Sequence, residues 1–422
     1  MSERDVVLDV LLNDDLLGGE VRVGTLSRRQ GPKGHAIVFE YDPGWLARTK
    51  PVRSFALDTE LLLTPGRHYA AAGAEHLTAA FQDCSPDRWG ALLMRQREAM
   101  EAKDEGRRPR TLTAWDYLVG VSDEGRMGAI RLRERGATTC LDGRSLSAPP
   151  VTELRTLEGL AGRVEEGWED LTGDEARWLS QLIAPGSPLG GARPKATFRD
   201  LDGSLWIAKF PSTQDTYDVG LWELIIRQLA CGAGVVMPDA RAVSLSRRGH
   251  TFAVKRFDRT ATSRRCYASA MNLLGGAESE GYSYIDICDL ISRQGSLSRI
   301  DEQLEQLFRR VVFGVLVGNR DDHLRNHGFL RAADGWELSP AFDINPSTAK
   351  KEHVLCIDES DPRPSTDSAL NTAEYYRLTT VRAEEIIEEV RDAVARWKDV
   401  ARSQGAKASE ISDMATSIDP MR

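Results

Sequence analysis

The sequence predicts an α+β chain in two parts, a mixed α/β amino-terminal region and a helical carboxy-terminal one. Three observations lead there. Over the first 135 residues, apolar and polar residues alternate in short runs broken by Gly and Pro, the two-residue period of half-buried strands. Two strand–turn–strand patterns follow, Lys195–Phe210 and Ala240–Phe257. From Ser283 onward the apolar period is helical.

Taken in order, Val6–Leu12, Glu20–Leu26 and Ala36–Tyr41 read as strands. At Ser85-Pro86-Asp87 a capping serine, a proline at the first helical position and an acid in the first turn predict a helix running to about Glu101, with Trp89, Leu92 and Leu93 in its core face. Ser145–Pro150 (SLSAPP) is the best linker, and helices are expected over Thr152–Glu166 and Asp174–Ile183. Strand Lys195–Arg199 turns at Asp200–Gly203 into Leu205–Phe210; a helix spans Val219–Cys231; strands Ala240–Leu245 and Thr251–Phe257 pair next. Helices Arg299–Val317 and Ala383–Ser403 close the chain. The domains drawn from this are 1–145, 151–260 and 261–422.

Composition narrows the function. With 28% charged and 41% hydrophobic residues in 422, the chain is globular and too long for one small core. A net charge of −9 argues against a large nucleic-acid-binding face on this chain alone. Six scattered cysteines with no C-x-x-C pair suggest neither a disulfide framework nor a structural zinc site. The acidic start lacks a basic secretory n-region, and the apolar run Val311–Val317 is far below the ~20 residues that span a bilayer, so the expected compartment is the cytoplasm, with no membrane partner.

The densest chemistry lies directly behind that apolar run. Gly318–Leu330 (GNRDDHLRNHGFL) holds two aspartates, two histidines, two asparagines and two arginines. Asp321 and Asn326 stand five apart between a buried helix and a short strand, His327–Leu330. That is the spacing of a kinase catalytic loop, in which the aspartate accepts a hydroxyl proton and the asparagine binds Mg²⁺. Asp343, in LSPAFDINPS, follows 17 residues after Asn326, where a second carboxylate can hold the metal on the ATP phosphates. Asp and Asn also fill ordinary turns, and a polar helix end explains the cluster equally well on spacing alone. His323 and His327, four apart, lack the glutamate of a helical zinc motif.

The upstream half adds weight. Ala184–Phe198 (APGSPLGGARPKATF) places Gly186, Gly190 and Gly191 in a loop feeding a strand, where bare amides can approach phosphate. It is not a Walker A loop, since Ala192 stands where the lysine belongs. Lys209 lies inside the apolar strand LWIAKFPS and needs a partner, either nucleotide phosphates or Glu223 on the next helix. Glycine loop, strand lysine, helix glutamate, strand pair, Asp-x4-Asn and metal aspartate follow in kinase order.

As an ordered set, GSPLGGARPKA, IAKFPS, VKRFDR, GNRDDHLRNHGFL and LSPAFDINPS resemble the successive motifs of HipA-type serine/threonine kinases, the toxins of HipBA toxin–antitoxin pairs. GTLSRR, IVFEYDPGWL and FQDCSPDRWG resemble that family's amino-terminal subdomain, so the likeness runs from about residue 5 to 400. It implies a protein-kinase-like bilobal fold and dependence on ATP and Mg²⁺. Asp321 would be the catalytic base, Asn326 and Asp343 the metal ligands, and His323 and Asn326 nucleotide contacts. Lys209 would bind phosphate, and Lys255, Arg256 and Phe257 would line the adenine. Leu189, Gly190, Gly191, Ala192, Arg193 and Lys195 would form the nucleotide loop, with Ser187 self-phosphorylated to switch the enzyme off; outside the likeness Ser187 reads as a turn serine. It further implies a separate DNA-binding HipB-like antitoxin, contact with DNA only through it, and a protein target such as an aminoacyl-tRNA synthetase. Two departures stand out: Asp322 where glycine is common, and Gly-Ala-Arg-Pro-Lys at 191–195 where some members have Gly-Ala-Gln-Glu-Lys. The alternative is a catalytically idle kinase-fold module that acts as co-repressor with its antitoxin.

Overall fold

A computed structural model describes residues 5–31, 34–141, 148–166, 191, 193–419 and 421. The chain divides into two compact units, Met1–Thr213 with Lys255–Ala268, and Gln214–Val254 with Ser269–Arg422.

In the first unit β1 (Val6–Asp14), β2 (Gly19–Gly31) and β3 (Gly34–Tyr41) form an antiparallel meander. β4 (Arg67–His68) pairs with β3 and β5 (Ile130–Glu134) with β1, giving the order β4-β3-β2-β1-β5. The expected two-residue period slips at a bulge between Val10 and Leu11, so Val10, Leu11 and Leu12 are all buried. Helices α1 (Pro43–Leu46), α2 (Ala79–Gln82), α3 (Arg88–Asp104), α4 (Ala114–Val119) and α5 (Leu154–Glu165) fill the intervening chain. A hairpin of β6 (Lys195–Arg199) and β7 (Leu205–Lys209) follows in the same unit.

The helix expected from Ser85 starts later. Asp87 is its cap, its carboxylate accepting the Gly90 amide at 2.8 Å, while the Ser85 hydroxyl donates back to Phe81 O at 2.9 Å. Asp87 wins because its second oxygen takes the Lys195 ammonium at 2.5 Å, a partner 108 residues away that no local pattern shows. Trp89 and Leu93 are buried as expected, whereas Leu92 is only half-buried.

A charge knot ties two distant segments of this unit together. The Arg256 guanidinium donates to Asp258 Oδ1 and Oδ2 at 2.9 and 2.7 Å and to the carbonyls of Gly125 and Arg126. Arg259 and the Gly128 amide also donate to Asp258, at 2.6 and 2.7 Å. Burial alone would raise the Asp258 carboxyl, but the two guanidiniums outweigh it and hold the group far below the usual carboxylate range.

The second unit is mostly helical: α6 (Val219–Gly232), α7 (Ala270–Leu274), α8 (Tyr284–Gln294), α9 (Ile300–Val317), α10 (Thr366–Asn371), α11 (Thr380–Ala395), α12 (Trp397–Ser403) and α13 (Ala408–Met414). It also holds the hairpin of β8 (Ala240–Ser244) and β9 (His250–Lys255); β10 (Tyr267–Ser269) lies at the join in sequence, and β11 (Gly328–Arg331) pairs with β12 (Trp336–Leu338). The single helix expected over Ala383–Ser403 is two, broken at Arg396 where the buried Trp397 turns to meet Trp222 with ring centroids 6.2 Å apart.

α9 is the axis of this unit. It packs on α8, α10 and α11, and from Val311 to Val317 every side chain is buried. A helix buried all round has its far end inside the protein, so the chain leaving it emerges through packed surroundings.

Replacing Asp258 by Asn should cost about 3–5 kcal/mol, because two buried guanidiniums lose their counter-charge. The carboxyl is depressed in the folded state. Its contribution is therefore full above the unfolded value near 3.8 and is lost as pH falls below it. Urea unfolding of Asp258→Asn against wild type at neutral pH checks this; an unchanged midpoint would contradict the knot's role.

Candidate active site

α9 ends on Gly318 in the left-handed region (φ 73), where a Cβ would sit 2.7 Å from Ser417 O, so only glycine fits. Arg320 and Asp322 are buried, whereas the Asp321 side chain between them is 65% exposed. The Asp322 carboxylate accepts the Tyr284 hydroxyl at 2.8 Å and pairs with His327 Nε2 at 3.1 Å. Burial would push this carboxyl up, but His327 and the Tyr284 hydroxyl more than offset that and bring it to about 2. The same burial, with Asp322 adjacent, drives the Tyr284 hydroxyl well above its ordinary value.

Further bonds fasten the loop. The Leu324 amide donates to Ser279 Oγ at 3.0 Å, and the His327 carbonyl accepts the Ala270 amide at 2.7 Å. Asn326 is buried in a 3-10 turn, and its amide nitrogen reaches the Asp321 carbonyl at 3.4 Å, so its side-chain oxygen is the atom left for another partner. His323 is half-buried with Nδ1 out of contact with water and without a partner among the described residues.

A second loop is laced to the first. Asp343 is half-buried at φ 58, a backbone conformation that costs a non-glycine residue roughly 1 kcal/mol or more. The Asn345 amide donates to Asn319 Oδ1 at 3.2 Å, the Ser347 amide to Gly318 O at 2.8 Å, and Arg320 to Lys350 O at 2.8 Å. The Lys350 ammonium contacts the Asp321 carboxylate. Asp321, His323, Asn326 and Asp343 thus belong to two loops fixed side by side within one unit.

The other expected residues lie in the first unit. Lys195 and Lys209 are directly opposite across the β6–β7 hairpin, hence on one face, and both are buried. Lys195 is matched by Asp87, whose carboxyl is raised by its own burial against the pull of that lysine, and Trp89 Nε1 donates to the Lys195 carbonyl at 3.1 Å. Gly191 is left-handed (φ 96), and Arg193 is half-buried. The Lys255 ammonium is 3.8 Å from Asp202, and the Phe257 ring lies 6.2 Å from Tyr267. The Arg256 side chain, expected beside an adenine, is instead committed to Asp258; its amide donates to Leu205 O at 2.9 Å. Ser187, Leu189, Gly190 and Ala192 lie outside the described residues.

The donors fit Mg²⁺ arriving with a nucleotide. Among the described residues no three His, Cys, Asp or Glu side chains converge, while Asn326 and Asp343 offer the hard oxygens that Mg²⁺ takes together with phosphates.

The HipA-like C-terminal domain family matches residues 187–397, half of the chain. The chain belongs to the HipA-like family. It is 24% identical over 237 residues to the protein named "Putative kinase Y4dM" of Sinorhizobium fredii, covering 51% of this chain and 56% of that one, so it spans little more than half the length of that relative. It overlays HipA from the Shewanella oneidensis complex of HipA, HipB and operator DNA with a TM-score of 0.66 at 16% identity, over 97% of this chain and 94% of that one. The Helicobacter pylori proinflammatory kinase CtkA overlays 53% of this chain and 90% of its own at 13% identity, with a TM-score of 0.36, too loose to bear on the fold. The HipA overlay shows the fold: α+β and kinase-like, with a mixed α/β amino-terminal part and a helical carboxy-terminal one, as the HipA-like motifs led us to expect.

Sequence reasoning missed Tyr284, Asn319, Asn345 and Lys350. Their only signal is proximity in space.

Asp322→Asn should destabilise the protein by about 2 kcal/mol at neutral pH, the worth of a carboxyl shifted from 3.8 to about 2. The folded carboxyl is depressed, so this contribution is full above about pH 4 and fades as pH falls through 2. Urea midpoints of wild type and variant, measured from neutral pH downward, should converge in acid; a constant gap would contradict the pairing.

Proposed function

We propose that this HipA-like chain is an ATP- and Mg²⁺-dependent serine/threonine protein kinase, acting as the growth-inhibiting toxin of a toxin–antitoxin pair. The observation that carries the reading is the split between adjacent carboxylates: Asp322 is locked inside, and Asp321 is turned outward on a loop laced to the one bearing Asp343. An exposed, positioned carboxylate can take the proton of a substrate hydroxyl. Bound Mg-ATP supplies the phosphoryl group and the charge neutralisation that its transfer requires.

The chain's own residues would divide the work. Asn326 and Asp343 offer oxygens to the metal, and His323 is a nucleotide contact carried over from the family likeness. Lys209, buried on the β6–β7 hairpin, is the phosphate contact carried over from the family likeness. Lys255 and Phe257, with Gly191, Arg193 and Lys195, complete the nucleotide contacts carried over from the family likeness, as do Leu189, Gly190 and Ala192. Lys195 already faces Asp87, so its share is in shaping the loop more than in carrying charge. By the same likeness Ser187 is the self-phosphorylated switch.

The partners follow from the family likeness as well: a separate HipB-like antitoxin, operator DNA through it, and a protein target of the aminoacyl-tRNA synthetase kind. No helix among the described residues is long and apolar enough to cross a membrane, and we place the protein in the cytoplasm.

The test is ATP binding and consumption by the purified protein. Asn326→Ala and Asp343→Ala should each weaken Mg²⁺-dependent ATP binding about tenfold or more, and metal-free binding far less. Equal wild-type affinity with and without Mg²⁺ would remove the metal from this account. Binding without any ATP consumption would leave an idle binding module. Intact mass after incubation with Mg-ATP should show phosphate on Ser187, and an active enzyme with Ser187 unmodified would remove that switch.

A further inference from the structure

Lys350 occupies a place that stability does not explain. Its side chain is 47% exposed and that of Asp321 is 65% exposed, and an exposed ion pair adds next to nothing to stability. Yet the backbone that delivers it is anchored on every side. Its amide donates to Ser347 Oγ at 3.2 Å and its carbonyl accepts from the buried Arg320 at 2.8 Å. Ser347 in turn donates its amide to Gly318 O at 2.8 Å and accepts the Ser417 hydroxyl at its carbonyl at 3.0 Å. A buried arginine, a helix-terminal glycine and Ser417 together hold the backbone that sets one lysine against one carboxylate.

The contact is to Oδ1 alone, and among the described residues no other group bonds the Asp321 carboxylate. We propose that Lys350 is a positioning residue: it fixes Asp321 Oδ1, and thereby turns Oδ2 toward the substrate hydroxyl. This rests on Asp321 being the base. In the step itself, the hydroxyl oxygen forms a bond to the γ-phosphorus of ATP while the bond to the β,γ-bridging oxygen breaks. ADP leaves with that electron pair, and the hydroxyl proton passes to Asp321 Oδ2. An exposed aspartate left alone rotates about Cβ–Cγ and meets the hydroxyl in the right orientation only part of the time. An ammonium seated on one oxygen removes that freedom, and alignment of this kind is worth large factors in rate.

The experiment uses the full chain with [γ-³²P]ATP and Mg²⁺, reading initial rates of transfer to the protein itself and to casein as added acceptor. Lys350→Met keeps the side chain's length and removes its charge. It should lower kcat about 10- to 100-fold while the KM for ATP stays within about twofold. Lys350→Arg should restore most of the rate. In an Asp321→Asn background Lys350→Met should change nothing further, because the residue acts through the missing carboxylate. Thermal midpoints should be unchanged, given the exposure of the pair. A higher KM for ATP at unchanged kcat would mean that Lys350 binds the nucleotide instead, and would overturn the proposal. So would a loss that multiplies with that of Asp321→Asn, or an active wild type indifferent to Lys350→Met. A wild type that transfers no phosphate from Mg-ATP would overturn the kinase reading, and this inference with it.

Discussion

A carboxylate buried in a helical core must be paired, and the pairing of Asp322 is the constraint on which the candidate site depends. The Tyr284 hydroxyl and His327 meet it from α8 and from the end of the polar loop, and their satisfaction fixes where the loop enters and leaves. These two partners hold Asp322 inside while Asp321 beside it stays exposed. The same segment therefore yields one structural and one available carboxylate from two adjacent aspartates. Asn319, Arg320 and Gly318, each bonded to the loop of Asp343, carry that order into the second loop.

The first unit solves a related problem with the opposite charge. Two lysines directly opposed on one hairpin face repel each other and resist burial. Asp87 neutralises Lys195 while capping α3, and that double duty ties the hairpin to the amino-terminal helices. The Arg256–Asp258 knot fastens the segment after β9 to the turn at 125–128. Both arrangements are structural uses of charged residues that sequence motifs alone would assign to a ligand.

Much of this was legible beforehand. Strand alternation located β1, β2 and β3, and the turn Asp200–Gly203 located the β6–β7 hairpin; the five-residue spacing picks Asp321, which the structure leaves exposed, over the buried Asp322. The family motifs supplied the fold. What stayed hidden was long-range: the cap at Asp87 depends on Lys195, and the break at Arg396 on Trp222. The outward set of Asp321 depends on Tyr284, and its neighbour Lys350 arrives from a loop with no periodic signal. Each is a contact between residues far apart in sequence, where a single-sequence pattern has nothing to register.

The central claim is that the two adjacent aspartates are divided, one for chemistry and one for structure. The most direct measurement sets Asp321→Asn beside Asp322→Asn, each scored for single-turnover phosphoryl transfer from Mg-ATP and for its urea midpoint. The account predicts a crossed result. Asp321→Asn keeps the wild-type midpoint and ATP affinity and loses transfer by about 100-fold or more, whereas Asp322→Asn unfolds earlier yet retains transfer while folded. Full transfer by Asp321→Asn, with none from a folded Asp322→Asn, would contradict it.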